Sequence, residues 1–324
     1  MLKSFANLLH SKLSAQPAWL IHAYLLSVSL ASRALLPTSL QHRVHNSLFG
    51  YGYRWPQLQF APRQVRLGKD TDVLLTPHVG EFDEQALFFR SLPYEQALFT
   101  WLEPRVGDYG TIIEIGANVG VYSVFFDRIA RHLPPNRQPS IVVFEPSGEA
   151  YSRLLANLRA NDARHVATFQ AAVGERSGLQ TFYEPRGHLT NGSFTRSFAE
   201  HFSDDIQETA VLTIGANELG RWFESGRRTL VKIDVEGFEP QLLSALSPLL
   251  EAHRPDLLIE VLPESVDALS ALPILKRYDR FLITRQGERR EEAFYFSQEY
   301  FDWFLTWNGS SPAEDAEVAS ARTT

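Results

Sequence analysis

Cysteine is absent from all 324 residues. Disulfides, thiolate metal sites and a cysteine nucleophile are thereby excluded, while the redox compartment stays undetermined. Cations are in deficit too: 31 Lys and Arg against 38 Asp and Glu give a net charge of -7. With no basic excess to neutralise phosphates, nucleic acid is not an expected partner. Asp, Glu, Lys and Arg are all missing from Leu13 to Ser32, and no small-residue cleavage site marks a signal peptide there. The remaining composition, 44% hydrophobic and 21% charged, is ordinary for a soluble globular enzyme long enough to bury a large core.

The chain is organised around Thr111 to Ser123, TIIEIGANVGVYS. Ile112, Ile113 and Ile115 read as a buried parallel strand, and a small-residue turn from Gly116 to Gly120 leads into a helix over Val121 to Ala130. Backbone without a Cβ, followed by the unpaired N–H groups of a first helical turn, can hold a polar or anionic cofactor group. Glu114 is the one acid in this apolar strand, and its burial calls for a partner with donors, a backbone group or a ligand. The glycine spacing alone says little, because the middle glycine of the dinucleotide pattern is missing. A second apolar strand, Ile141 to Phe144, ends in Glu145-Pro146, where an acid can accept bonds from both hydroxyls of a ribose. That favours a nucleoside-type cofactor without separating NAD from S-adenosylmethionine.

Strand and helix then alternate. A helix is expected over Ser147 to Ala160 and a third strand over Val166 to Val173. Leu179 to Tyr183 and Ala210 to Ile214 read as antiparallel additions, joined by a polar loop with His188, Asn191, Gly192 and Ser193. Core strands are expected at Thr229 to Val235 and Leu257 to Val261, with a helix over Pro240 to Ala252 between them, and Arg280 to Thr284 and Ala293 to Phe296 closing the sheet. Ile214-Gly-Ala-Asn217 repeats Ile115-Gly-Ala-Asn118 but follows no buried parallel strand, and is read as coincidence.

Before Thr111, the apolar stretch 17–36 is long enough to span a bilayer, yet His22, Ser27, Ser29 and Ser32 interrupt it. A helix packed on the protein or lying at a membrane surface suits it better. The expected location is the cytoplasm, with attachment to a membrane surface through 17–36 left open. Tyr51, Tyr53 and Trp55 stand in an aromatic segment suited to packing or to stacking on a sugar ring. The expected organisation is a cap over 1–93, a catalytic domain over 94–308 and a disordered tail over 309–324.

The chemistry concentrates in Leu230 to Pro240. Alternation puts Lys232, Asp234 and Glu236 on one side of the strand, at the carboxyl end where open α/β sheets bind ligands. Glu236 and Glu239 would also complement the positive N-terminus of the next helix, and Lys232 would also pair with Asp234. Packing alone rarely asks a core strand for three charged residues, which favours a site.

Taken in order, Glu114-Ile-Gly-Ala-Asn-Val-Gly120, Phe144-Glu-Pro146, Ala171-Ala-Val-Gly174, Lys232-Ile-Asp-Val-Glu-Gly237 and Leu258-Ile-Glu260 resemble the FkbM family of S-adenosylmethionine-dependent methyltransferases. The resemblance runs from about Tyr94 to about Asn308. It implies a class I methyltransferase (Rossmann-like) α/β fold, a seven-stranded mostly parallel sheet with helices on both faces and one antiparallel strand near the end. It implies S-adenosylmethionine as cofactor, with Glu114, Gly116, Asn118 and Gly120 around its methionine part and Glu145 on its ribose. Asn161-Asp162 with Ala171 and Ala172 would border the adenine, and Ala117, Tyr122 and Pro146 join the same cofactor set. Lys232 to Glu239 would face the transferable methyl. Where the family shows a Thr-Leu-Asp-like stretch, Thr213-Ile-Gly215 lacks the acid.

The implied reaction is in-line methyl transfer to an acceptor hydroxyl, catalysed mostly by positioning. Asp234, Glu236 and His188 are the candidate bases, Asp234 first, with Lys232 orienting the acid or the acceptor. Glu239, Glu260, Asn191 and Ser193 are candidate acceptor contacts. The expected acceptor is a small molecule or a saccharide, lipid-linked glycans included. No metal is expected, although Asp234 and Glu236 are the donors that magnesium would use. The oligomeric state is open. Two rival readings are an NAD-dependent oxidoreductase and a non-catalytic, membrane-associated glycan-binding protein that keeps the fold.

Overall fold

The computed structural model describes residues 16–37, 40–41, 60–78, 83, 85–186, 191–223 and 226–309. Helix α1 (Ala18–Leu35) comes first, then a hairpin of β1 (Arg63–Leu67) and β2 (Thr71–Leu75), then short helices α2 (Gln85–Phe89) and α3 (Gln96–Leu102). The central run is β3 (Thr111–Ile115), α4 (Val121–Ala130), β4 (Ser140–Phe144), α5 (Gly148–Ala160) and β5 (Val166–Phe169). A side sheet follows, of β6 (Ala172–Gly174), β7 (Gly178–Pro185) and β8 (Ile206–Gly215). The chain then returns through β9 (Thr229–Ile233), α6 (Glu239–His253), β10 (Asp256–Glu260) and α7 (Val266–Ala271), and ends in β11 (Tyr278–Thr284), β12 (Gly287–Glu291) and β13 (Asp302–Trp307).

The main sheet has the order β12-β11-β13-β10-β9-β3-β4-β5. From β5 to β10 every pairing is parallel, and β13 is inserted antiparallel between β10 and β11. Seven of these strands make the class I methyltransferase sheet, and β12 adds an eighth at the edge through a tight hairpin with β11. All five residues of β3 and of β9 are buried, because helices cover both faces.

The two-residue period of the strands sorts them between two cores. Ile112, Val143 and Leu230 meet Phe125, Phe126 and Leu154 from α4 and α5. Ile113, Ile115, Val142, Val231 and Ile233 meet Leu242, Leu243 and Leu246 of α6 on the other face. Each such side chain contributes about 1.5–3 kcal/mol of burial. Glu114 and Lys232 therefore share the α4 face with Ile112 and Leu230. The β1–β2 hairpin joins that same core through Val65, Leu67, Val73 and Leu75, and Asn157 of α5 and Asn161 at its C-cap fasten the hairpin's backbone.

Two expectations are corrected. Val166 to Val173 is two strands: after Phe169 the chain leaves the main sheet, and Ala172 pairs with Thr213 in the side sheet. Ala293 to Phe296 is not a strand, since Phe294 is buried by packing on the Trp303 ring rather than by backbone pairing. The strand that closes the sheet is β13, with Trp303 and Leu305 fully buried. Among the described residues, α1 is the one helix long and apolar enough to cross a membrane, at a mean hydropathy of 1.3.

Candidate active site

The carboxyl ends of β3, β4 and β9 converge. After β3 the chain turns at Gly116 with φ +84°, where a Cβ would collide with the Asp234 carbonyl oxygen. Only glycine lets the β3 and β9 turns approach this closely. Asn118 in the same turn donates its backbone N–H to Glu145 Oε2 at 2.7 Å, and its own Oδ1 is buried without a partner among the described residues. Glu145 Oε1 accepts from the Ser147 N–H, also at 2.7 Å, so this acid is fixed across two turns and still has lone pairs free. Burial pushes Glu145 up to about 7 against the pull of those two bonds.

Glu114 and Lys232 lie opposite each other in the β3–β9 register. Glu114 Oε2 accepts from Ser123 Oγ at 2.7 Å, and burial pushes its carboxyl up to about 7 although Lys232 and Ser123 pull it down. The Lys232 ammonium donates to Asp234 Oδ2 at 2.9 Å and lies 4.3 Å from the centre of the Tyr122 ring. Burial alone would lower it; Asp234, Glu95 and Glu114 outweigh burial and hold it above its ordinary value.

The turn after β9 is held from two sides. Glu236 has φ +52° and Gly237 +82°. Glu239 Oε1 accepts from the N–H groups of Val235 and Gly237, at 3.0 and 3.3 Å, and Ser193 Oγ donates to the Glu236 carbonyl at 3.1 Å. A left-handed non-glycine residue fixed by two elements is a place where a fold gives up stability to aim a side chain. Burial, then Asp234 and Glu239, push the Glu236 carboxyl well up.

Two cavities meet at this turn. The narrower is lined by Gly116, Asn118, Glu145, Pro146, Ala171 and Ala172, with Phe144, Phe182, Phe194 and Phe238 as apolar walls. The wider, of about 550 Å³, is lined by Glu114, Ala117, Tyr122, Lys232, Asn191 and Glu260, with Tyr94, Glu95, Glu264, Phe198, Phe202 and Phe301. Gly116, Asn118, Asp234 and Glu236 border both. An orphaned Asn118 oxygen, a buried acid with spare lone pairs and a glycine cradle together fit a nucleoside cofactor in the narrower cavity.

Of the residues singled out in the sequence, Gly120, Ser193 and Glu239 support the turns from behind the cavity walls. Gly120 has φ +80° and packs on Leu154. Asp162 is not brought to either cavity. It follows α5, whose thirteen residues carry the chain about 20 Å back across the sheet, and it pairs there with Arg164 at 2.7 Å. His188, Tyr51, Tyr53 and Trp55 lie outside the described residues. Among the described residues no group of three or more His, Asp and Glu is set to hold a metal ion.

Sequence reasoning missed Tyr94, Glu95 and the chain around Asp302. Glu95 looks like an ordinary acid ahead of a helix, yet it is buried and its Oε2 has no partner among the described residues. Burial, then Asp302, push Glu95 well up; burial pushes Asp302 up to about 7, with Lys232 opposing and Asp234 reinforcing. Some two hundred residues separate this pair, and nothing local in the sequence announces it.

The β3 turn, the acid after β4 and the joined cavities stand together at one end of a sheet with class I methyltransferase topology. The Methyltransferase FkbM domain matches residues 114–282, just over half of the chain, and the chain belongs to that family. No curated protein matches it. Among solved structures it is similar to the methyltransferase FkbM of Methylobacillus flagellatus KT, at 14% identity and a TM-score of 0.37 over 62% of this chain and 44% of that one. It is similar to a SAM-dependent methyltransferase of Agrobacterium tumefaciens, at 12% identity and 0.39 over 79% and 73%. It is also similar to the O-methyltransferase TomG of Streptomyces achromogenes, at 14% and 0.33 over 66% and 80%. The chain thus spans less than half the length of the Methylobacillus protein, and likenesses this remote fix neither reaction nor acceptor.

Proposed function

We propose that the protein is an O-methyltransferase whose acceptor is a neutral polyhydroxylated molecule, a saccharide before others. The observation that carries this reading is the lining of the wider cavity: among the described residues, Glu95, Glu114, Asp234, Glu236, Glu260 and Glu264 stand against the single cation Lys232, with aromatic rings beside them. Carboxyl groups, ionised or protonated, hydrogen-bond with hydroxyls, one described cation already paired with Asp234 offers little to a phosphate, and aromatic faces suit the apolar faces of sugar rings.

When bound, S-adenosylmethionine supplies a methyl on a sulfonium that departs as a neutral thioether. The turn from Gly116 to Gly120, with Ala117, Asn118 and Glu114, would hold the methionine part, and Glu145 would take the ribose hydroxyls. Pro146, Ala171 and Ala172, which line the narrower cavity, would wall the adenine. At the shared rim Asp234 accepts the acceptor hydroxyl's proton, and Lys232 fixes the carboxylate through the 2.9 Å bond. Tyr122 and Lys232 exclude water beneath it. Glu260 and Asn191 receive further acceptor hydroxyls, while Ser193 and Glu239 hold the Glu236 turn.

The test is methyl transfer from labelled S-adenosylmethionine to a panel of neutral glycosides, uronic acids, sugar phosphates and amines. Methyl ethers on neutral glycosides are expected, with Asp234→Asn retaining cofactor binding and losing about 10²–10⁴-fold in kcat. Transfer confined to carboxylates or amines would sink the reading.

A further inference from the structure

Helix α1 has two unlike faces. Ile21 and Leu25 turn inward onto Phe60 and Phe88, and Ser29 Oγ donates to the Leu87 carbonyl at 3.2 Å. Trp19, Leu26 and Leu30, spaced seven and four residues apart, face outward and are 69%, 40% and 59% exposed. That spacing is one continuous stripe of a helix.

Beside the stripe lies a cavity of about 310 Å³ whose walls include Leu26, Leu30 and Leu87 together with Arg33, Arg63 and Arg90. Not one Asp or Glu stands among the described residues that line it. Among the described residues no ion pair reaches the three guanidiniums, and Arg63 Nε is buried without a hydrogen-bond partner there. Arg90 is fixed in a left-handed conformation, φ +55°, with its carbonyl accepting from the Arg66 N–H at 2.9 Å. In a chain of net charge -7, three converging cations with no acid among the described lining residues are a local exception.

Unpaired guanidiniums around an apolar-walled cavity match a phosphate that arrives with hydrocarbon attached. The outward stripe supplies the surface that would enter a headgroup layer, with a tryptophan at its edge. A bilayer span would strip Ile21 and Leu25 from Phe60 and Phe88, so the helix is placed to lie on a membrane rather than cross it.

We propose that the arginine cavity takes the phosphate of an anionic phospholipid and, with the α1 stripe, docks the protein on an anionic membrane surface. This docking does not depend on the chemistry of the methyl acceptor. It brings the surface close to the acceptor cavity in sequence, since Arg90 stands four residues before Tyr94.

Co-sedimentation of the full chain with vesicles tests it, using phosphatidylcholine alone and phosphatidylcholine with phosphatidylglycerol. Binding to the second only is expected, weakening as salt rises. Arg33→Gln, at an exposed position, should bind about fivefold more weakly, and the triple variant with Arg63→Gln and Arg90→Gln about 100-fold. Trp19→Ser with Leu30→Ser should also release the protein. Unchanged S-adenosylmethionine binding shows that each variant is folded and keeps this test separate from the acceptor reading. Equal binding to both vesicles, no binding to either, or wild-type binding by folded Arg33→Gln would overturn the proposal. So would stabilisation by millimolar inorganic phosphate without vesicle binding, which would mark a site for a small free anion.

Discussion

At the scale of single residues, the site depends on two contacts with no tolerance. Gly116→Ala places a methyl against the Asp234 carbonyl at φ +84°, so the β3 and β9 turns must separate. Calorimetric titration should show loss of S-adenosylmethionine binding, and a variant that binds normally would disprove the close approach. Lys232 offsets Glu95, Glu114 and Asp234 at once, and Lys232→Met leaves the buried Glu95 and Glu114 and the half-buried Asp234 uncompensated. A loss of about 3–5 kcal/mol in urea unfolding is expected. Glu114, Glu145 and Glu239 are held at about 7 against an ordinary 4.5, chiefly by burial. Each binds its proton more readily folded than unfolded. Its contribution is therefore fully present below about pH 4.5 and is lost as pH rises through about 7. Without cofactor, the protein should lose stability between about pH 4.5 and 7, and Glu114→Gln should flatten that loss; a flat wild-type profile would contradict the burial.

At the scale of elements, the same letters do different work in different places. Gly116 has φ +84° at the end of a buried parallel strand, whereas Gly215, in the repeated Ile-Gly-Ala-Asn, has φ -83° at the end of a side-sheet strand. A tetrapeptide does not choose its backbone; the strands that flank it do. Helix α5 is set by Ser147, whose side chain accepts from the Ala150 N–H at its N-cap. Ser147→Ala should lower stability by about 1 kcal/mol, read from the urea midpoint. Its backbone N–H still reaches Glu145, so cofactor affinity should change little, and a large loss of affinity would show a direct role for the hydroxyl.

At the scale of the whole molecule, the site is closed by chain outside the family match at 114–282: Tyr94 and Glu95 before it, Phe301 after it. β13 lies between β10 and β11 with Trp303 fully buried, so its loss would split the sheet rather than trim an edge. A chain ending at Tyr300 should show no cooperative unfolding in circular dichroism. A cooperative transition at the wild-type temperature would mean that the sheet closes without β13.

The sequence by itself determined the cofactor turn, the acids after β4 and β9, and the order of parallel strands, because each is written in consecutive residues with a fixed period. Buried parallel strands have to be apolar on both faces, so Glu114, Lys232 and Asp234 stand out as soon as the strand is recognised. Only the tertiary structure decided that β13 enters between β10 and β11, that Val166 to Val173 divides between two sheets, and that Asp162 ends far from the cavities. It alone set Glu95 beside Asp302 and Lys232, and Arg90 in one cavity with Arg33 and Arg63. The reason is physical: local pattern reports which face of an element is buried, whereas charges that share a cavity belong to separate elements, and their meeting is fixed by how the layers pack.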